Sequence, residues 1–176
     1  TVYNEPVVQP AEPEDLDGRD GWNFRVLDLR WFEEIRLGLE DLLGKAGRLD
    51  LAILNAGVLG EVGLMSEVDV EEMKRVMEIN VWANKVLLDV LCRQLDAVSQ
   101  VVGMSTKSAL RSSPGWGPYS VSKAGLNMLM NVYAKERPET HFIAFAPGLV
   151  DSEIQEEIYA MEETGKYPAI ERLQEA

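Results

Sequence analysis

Tyr119 and Lys123 stand four residues apart in the run Tyr119-Ser120-Val121-Ser122-Lys123. On a helix that spacing puts both side chains on one face. A phenol ordinarily titrates near pH ~10, too high for easy proton exchange at neutral pH, and a neighbouring ammonium favours the phenolate and lowers that value. The pair is an acid/base device in outline. Upstream, Ser105-Thr106-Lys107-Ser108 offers a hydroxyl to hydrogen-bond a substrate oxygen held against Tyr119. Thr106 is the candidate on its spacing to Tyr119, with Ser105 and Ser108 as neighbouring alternatives, because a β-branched residue has a restricted χ1. A Tyr-x-x-x-Lys pair by itself is a common surface coincidence, so its weight depends on the elements around it.

Five short runs are aliphatic or β-branched at nearly every position, the mark of parallel strands covered on both faces. They are Thr1–Tyr3, Phe24–Leu27, Leu51–Leu54, Gln100–Met104 and Phe142–Phe145. Helical patterns lie between them. Trp31, Ile35, Leu39 and Leu42 share one face and are stopped by Gly44 and Gly47. A second helix is expected from Val70, where Asp69 and Glu72 have the spacing of a capping pair, to about Leu95 with a bend. A third covers Pro118 to about Lys135, and its Leu126, Met128, Leu129, Met130 and Val132 do not keep to one stripe, which argues for burial on two sides. Repeated strand–helix units require right-handed crossovers and a doubly wound parallel sheet, with ligands at the carboxyl ends of the strands. The acidic stretch from Glu5 to Asp20 reads as a surface loop, and no boundary divides residues 1–176, which form one domain.

Thirty acidic residues against seventeen basic ones leave a net charge of −13, which repels phosphate backbones and anionic membrane surfaces. No nucleic-acid or membrane partner is expected. No apolar run approaches the ~20 residues that cross a bilayer, and the chain opens without the basic-then-apolar pattern of a secretory signal, so a cytoplasmic protein is expected. Cys92 is the lone cysteine and lies in an apolar helical stretch, where it packs as a small hydrophobe. With His141 the lone histidine, neither a multi-histidine metal site nor a serine–histidine triad assembles readily, and no metal is expected.

Three further motifs flank the Tyr/Lys pair. Leu54-Asn55-Ala56-Gly57 follows a strand, Asn80-Val81 lies in the long helix, and Pro147-Gly148-Leu149-Val150-Asp151-Ser152 follows the run Phe142–Phe145. In this order and register the chain resembles the short-chain dehydrogenase/reductase family, in general flavour its carbonyl reductases of the benzil and sepiapterin type. The resemblance implies a Rossmann-like fold and hydride transfer between NADP (or NAD) and a small carbonyl or alcohol. It makes Tyr119 the acid/base, Lys123 its modulator and ribose ligand, Thr106 the substrate-oxygen donor and Asn80 a proton-relay anchor. Asn55, Ala56, Gly57, Pro147 and Gly148 then line the dinucleotide, Asp28 lies near the adenine, and Val150 and Ser152 lie by the nicotinamide carboxamide and phosphate region. Thr106 stands where the family usually has serine, Leu54 replaces the first Asn of an Asn-Asn-Ala-Gly run, Ala83 replaces a common glycine and Ser152 a common threonine.

The resemblance also implies that the first strand, Gly-rich turn and helix, roughly 30 residues, lie upstream of Thr1, and that a last helix and edge strand lie beyond Ala176. The expected fold is therefore an incomplete doubly wound sheet, and the 176 residues alone are expected to bind the dinucleotide poorly, since a helix N-terminus is the main anchor for pyrophosphate. Trp116, Leu149, Ile154, Ile158 and Tyr159 are candidates for an apolar substrate wall. A homodimer or homotetramer through the two long helices is expected. The rival reading is a catalytically silent module of the same fold that serves as an association surface.

Overall fold

The computed structural model describes residues 23, 25–150, 152–162 and 164–175. The expected strand Thr1–Tyr3, the loop Glu5 to Asp20, and residues Phe24 and Asp151 lie outside the described residues.

Helix α1 (Phe32–Leu43) forms where predicted and stops at Gly44; of the expected stripe Ile35 is fully buried, Leu39 and Leu42 are half-buried, and Trp31 is exposed just ahead of the helix. On its outer face Arg36 reaches Glu33 at 2.5 Å and Glu40 at 2.9 Å, the spacing that stabilises exposed helix surface. Strand β1 (Arg48–Leu54) follows, then α2 (Val70–Met77), a π-helical turn (Glu78–Trp82) and α3 (Ala83–Gln94). These last three are the predicted long helix, with the π-turn at its middle. Strand β2 (Ala97–Met104), α4 (Gly117–Glu136) and β3 (His141–Phe145) complete the central unit, before the short α5 (Glu153–Tyr159) and α6 (Pro168–Gln174).

The strands lie parallel in the order β1-β2-β3, with Leu51 opposite Gln100 and Val101 opposite Phe142. This is a Rossmann-like arrangement, and it puts the carboxyl ends of all three strands on one edge. One cluster, including Leu54, Leu88, Leu91, Val101, Leu126 and Met130, joins β1 and β2 to α3 and α4. A second, Leu59 with Trp116, Ile158 and Ile170, ties α5 and α6 to the start of α4. Cys92 packs against the first cluster, as expected of a core filler.

Three local expectations need correction. Residues 25–27 of the expected strand Phe24–Leu27 make no ladder; a strand needs a hydrogen-bonding neighbour, and Leu27 instead packs over Gly38 of α1, where an added Cβ would lie 2.6 Å from its Cδ2. The capping pair is half made: the Asp69 carboxylate accepts the Glu71 N–H at 2.9 Å, but Glu72 turns to the Glu61 N–H and to Arg75. Among the described residues, coverage of the strands and of α4 is one-sided. The first cluster takes in Ala52, Leu54 and Val101 but leaves Leu51 and Ile53 exposed, and Met128 and Val132 of α4 are exposed while Leu126 and Met130 are buried.

Candidate active site

Helix α4 begins with Gly117 and Pro118, the latter well placed in a first helical turn, where its missing N–H costs nothing. Its first two turns carry Tyr119 and Lys123 to the carboxyl end of β2. Lys123 is only 3% exposed, and its Nζ donates to the Met104 carbonyl at 2.8 Å. The same ammonium lies 5.6 Å from the Tyr119 ring centroid, on the ring face. Trp116 packs against Tyr119 at 6.0 Å between centroids, the two rings tilted by 49°.

Burial pushes the Tyr119 phenol above its ordinary value, and burial also pulls the Lys123 ammonium down to about 8. Burial outweighs the opposing pull of the ammonium, so the net lowering of the phenol's pKa expected from the sequence is not found. The ammonium is turned to Met104 and approaches the ring rather than the hydroxyl, so desolvation decides. At neutral pH the phenol is a proton donor and the amine a cation.

Beyond Met104, Ser105 and Thr106 leave the strand. The Ser105 Oγ donates to the Asn127 Oδ1 at 2.5 Å, which clamps the strand end to α4, while Thr106 caps the short turn Lys107–Ala109. Asn80 sits in the π-turn, fully buried. Its Oδ1 accepts the Val58 N–H at 2.8 Å, and its Nδ2 donates to the Val58 carbonyl at 2.8 Å and to the Ser122 Oγ at 2.9 Å. Its side chain thus pins the loop after β1 against α4. A Cβ on Gly57, within that loop, would stand 3.0 Å from the Lys123 Nζ and 3.1 Å from the Asn80 Oδ1, so any larger residue would press on both groups.

A cavity of about 470 Å³ opens over these groups. Thr106, Tyr119 and Lys123 line it, together with Asn55 and Gly57 from the loop after β1. Pro147, Gly148, Val150 and Ser152 line it from the loop after β3. Three predicted residues do not. Asn80 lies behind Gly57, Ala56 is exposed beside the cavity, and the Asp28 carboxylate is occupied by Arg30 at 2.6 Å, which holds it below the usual carboxylate range. Of the proposed apolar wall, Trp116, Leu149, Ile154 and Ile158 line the cavity; Tyr159 is half exposed outside it.

Sequence reasoning missed the Ser105–Asn127 clamp and the Asn80–Ser122 contact, although Ser122 and Asn127 are polar positions in a helix otherwise rich in apolar ones. It also missed Lys107, Arg111 and Gln155, which line the cavity from two separate segments.

Residues 10–163 match the family model described as short chain dehydrogenase. A benzil reductase ((S)-benzoin forming) of Saccharomyces cerevisiae is 32% identical over 151 residues, which are 80% of this chain and 57% of that protein. Rat sepiapterin reductase is 33% identical over 115 residues, 60% of this chain and 43% of its own length. The crystal structure of a short chain dehydrogenase/reductase from Saccharomyces cerevisiae superposes with a TM-score of 0.77 at 28% identity, covering 89% of this chain and 62% of that one. The chain spans about half the length of the curated relatives it matches.

Proposed function

We propose, from the premise that this chain belongs to the short-chain dehydrogenase family, that it forms the catalytic part of an oxidoreductase interconverting a small carbonyl compound and its alcohol with NADP or NAD. What carries the proposal is the meeting of Tyr119, Lys123 and Thr106 in one cavity at the carboxyl ends of parallel strands.

The residues present fit the nicotinamide and ribose end of a dinucleotide. Gly57 brings backbone against Lys123, and Gly148, with φ +89° and nothing within 4 Å of an added Cβ, leaves the opposite side open. Asn55, Gly57, Pro147, Gly148, Val150 and Ser152 would flank the ring, and the Lys123 ammonium would hold ribose hydroxyls. Bound there, a reduced dinucleotide supplies a hydride to the substrate carbonyl carbon.

This chain's residues do the rest. Thr106 donates a hydrogen bond to the carbonyl oxygen and fixes its position. Tyr119, kept protonated by burial, gives its proton to that oxygen as negative charge develops, and Lys123 stabilises the phenolate left behind. Asn80 keeps the Gly57 loop at the distance this requires. The unit of action is proposed to be a homodimer or homotetramer through α3 and α4.

The test is Tyr119→Phe against the parent, with NADPH and benzil, the aromatic diketone that names one of the relatives. The variant should lose at least ~100-fold in kcat/KM. Equal rates in parent and variant would leave the silent-module reading standing instead.

A further inference from the structure

In a chain with a net charge of −13, the lining of this cavity holds Lys107, Arg111 and Lys123 and, among the described residues, no carboxylate. Most basic side chains elsewhere on the molecule are paired: Arg36 with Glu33 and Glu40, Arg75 with Glu72, Lys85 and Arg93 with Asp89. Lys107 and Arg111 make no ion pair among the described residues. They sit on one turn, since the Arg111 N–H donates to the Lys107 carbonyl at 3.1 Å, and that turn leads directly away from Thr106.

A second observation comes from the other wall. Gln155 of α5 is 8% exposed, lines the cavity, and has a buried Nε2 without any hydrogen-bond partner. A buried amide donor without an acceptor costs roughly 1–3 kcal/mol, which a ligand acceptor brought within its reach would recover. Two cations on one turn and the Gln155 side chain on another segment line one volume. The group they complement carries negative charge and several lone pairs, and a guanidinium matches a carboxylate in two-point geometry. Beside them, Trp116, Ile158 and Leu173 present apolar surface to the same volume.

Resting on the oxidoreductase reading above, we propose that the substrate is an oxo acid: a small carbonyl compound with an apolar body and a carboxylate held by Arg111, Lys107 and the Gln155 amide. The carboxylate fixes the molecule at one end while Thr106 and Tyr119 hold the carbonyl at the other. An uncharged ketone of the same shape leaves the Gln155 donor unsatisfied and the two cations without a partner.

Calorimetric titration of the protein, mixed with excess NADP, tests this without requiring turnover. The probes are phenylglyoxylate and 4-oxo-4-phenylbutanoate, each against its own methyl ester. At least one acid should bind about tenfold or more tightly than its ester. In the Lys107→Met/Arg111→Met double variant that acid-to-ester ratio should fall to near one, and Arg111→Lys should restore part of it. Both residues are exposed, so the variants should fold as the parent does. Acid and ester binding equally, neither binding, or a ratio that survives the double variant would overturn the proposal. The two readings fail separately. A preference for the acid that depends on Arg111, in a protein whose reduction rate is indifferent to Tyr119→Phe, leaves the anion subsite standing and removes the oxidoreductase. A rate that collapses in Tyr119→Phe, with acid and ester treated alike, does the reverse.

Discussion

Lys123 is buried to 3% exposure with its Nζ on the Met104 carbonyl, and burial alone sets its pKa near 8. Below pH 8 the amine is charged in the folded and unfolded chain alike, and the cost of burying that charge is fully present. Between about 8 and the ordinary 10.5 the unfolded chain binds the proton that the folded chain has lost, so stability rises with pH across this window. The difference corresponds to about 3 kcal/mol. Urea midpoints of the parent should therefore climb from pH 8 to 10.5 relative to those of Lys123→Met, and parallel curves for the two proteins would show that the ammonium is not desolvated as described. Catalysis should move the opposite way, because the phenolate left on Tyr119 loses its cation as Lys123 deprotonates; kcat/KM for reduction is expected to decline above pH ~8, and a flat profile to pH 10 would contradict the assigned role. Tyr119, Lys123 and Thr106 were legible in the sequence because their chemistry is written in spacing along one helix and one strand end. Gln155 and Arg111 were not: each is unremarkable in its own segment and acquires meaning only where α5 and the turn after Thr106 close on the same cavity.

Asn80 shows how an element, rather than a side chain, holds the site. The π-turn Glu78–Trp82 inserts an extra residue into the long helix and aims Asn80 inward, where its amide satisfies both polar groups of the Val58 backbone and the Ser122 hydroxyl. Asn80→Ala leaves the Val58 N–H and carbonyl without these partners and should cost about 2–4 kcal/mol in unfolding free energy. Asn80→Leu, which restores volume but no hydrogen bonds, should be destabilised to a similar degree; recovery in Asn80→Leu would mean that packing, not the amide, holds the loop. The length of this helix was anticipated from sequence, but its π-turn was not, since nothing in Glu78-Ile79-Asn80-Val81-Trp82 breaks a helix. Of the five expected strands, the three that form among the described residues were read correctly at their centres but not at their starts. The β1–β2 ladder runs on through Arg48 opposite Ala97, where backbone pairing continues with little apolar side chain to signal it. Register between strands, which brings Asn55, Thr106 and Pro147 to one edge, depends on neighbours distant in the chain and is invisible to local pattern.

For the whole molecule, the unresolved apolar signal of α4 now has a geometric form. Val121, Met128 and Val132 are separated by seven and four residues, which places them on one helical stripe, and all three are exposed at 44%, 62% and 43%. Trp82 on the neighbouring π-turn is 46% exposed. The expected two-sided burial of this helix is thus satisfied by the sheet on one side, through Leu126 and Met130, and by nothing among the described residues on the other. A large apolar strip on an otherwise strongly acidic surface is what a self-associating face requires: the net charge of −13 opposes contact between copies everywhere except where apolar area is removed from water. Light scattering should give a mass of two or four chains, with association strengthened by added salt as the like-charge repulsion is screened. Met128→Asp and Val121→Asp place a carboxylate in the stripe without touching the buried face of α4, so each should yield a folded monomer with the parent's circular dichroism. A parent that is monomeric at micromolar concentration in both low and high salt would show that α4 meets something other than a second copy of this chain.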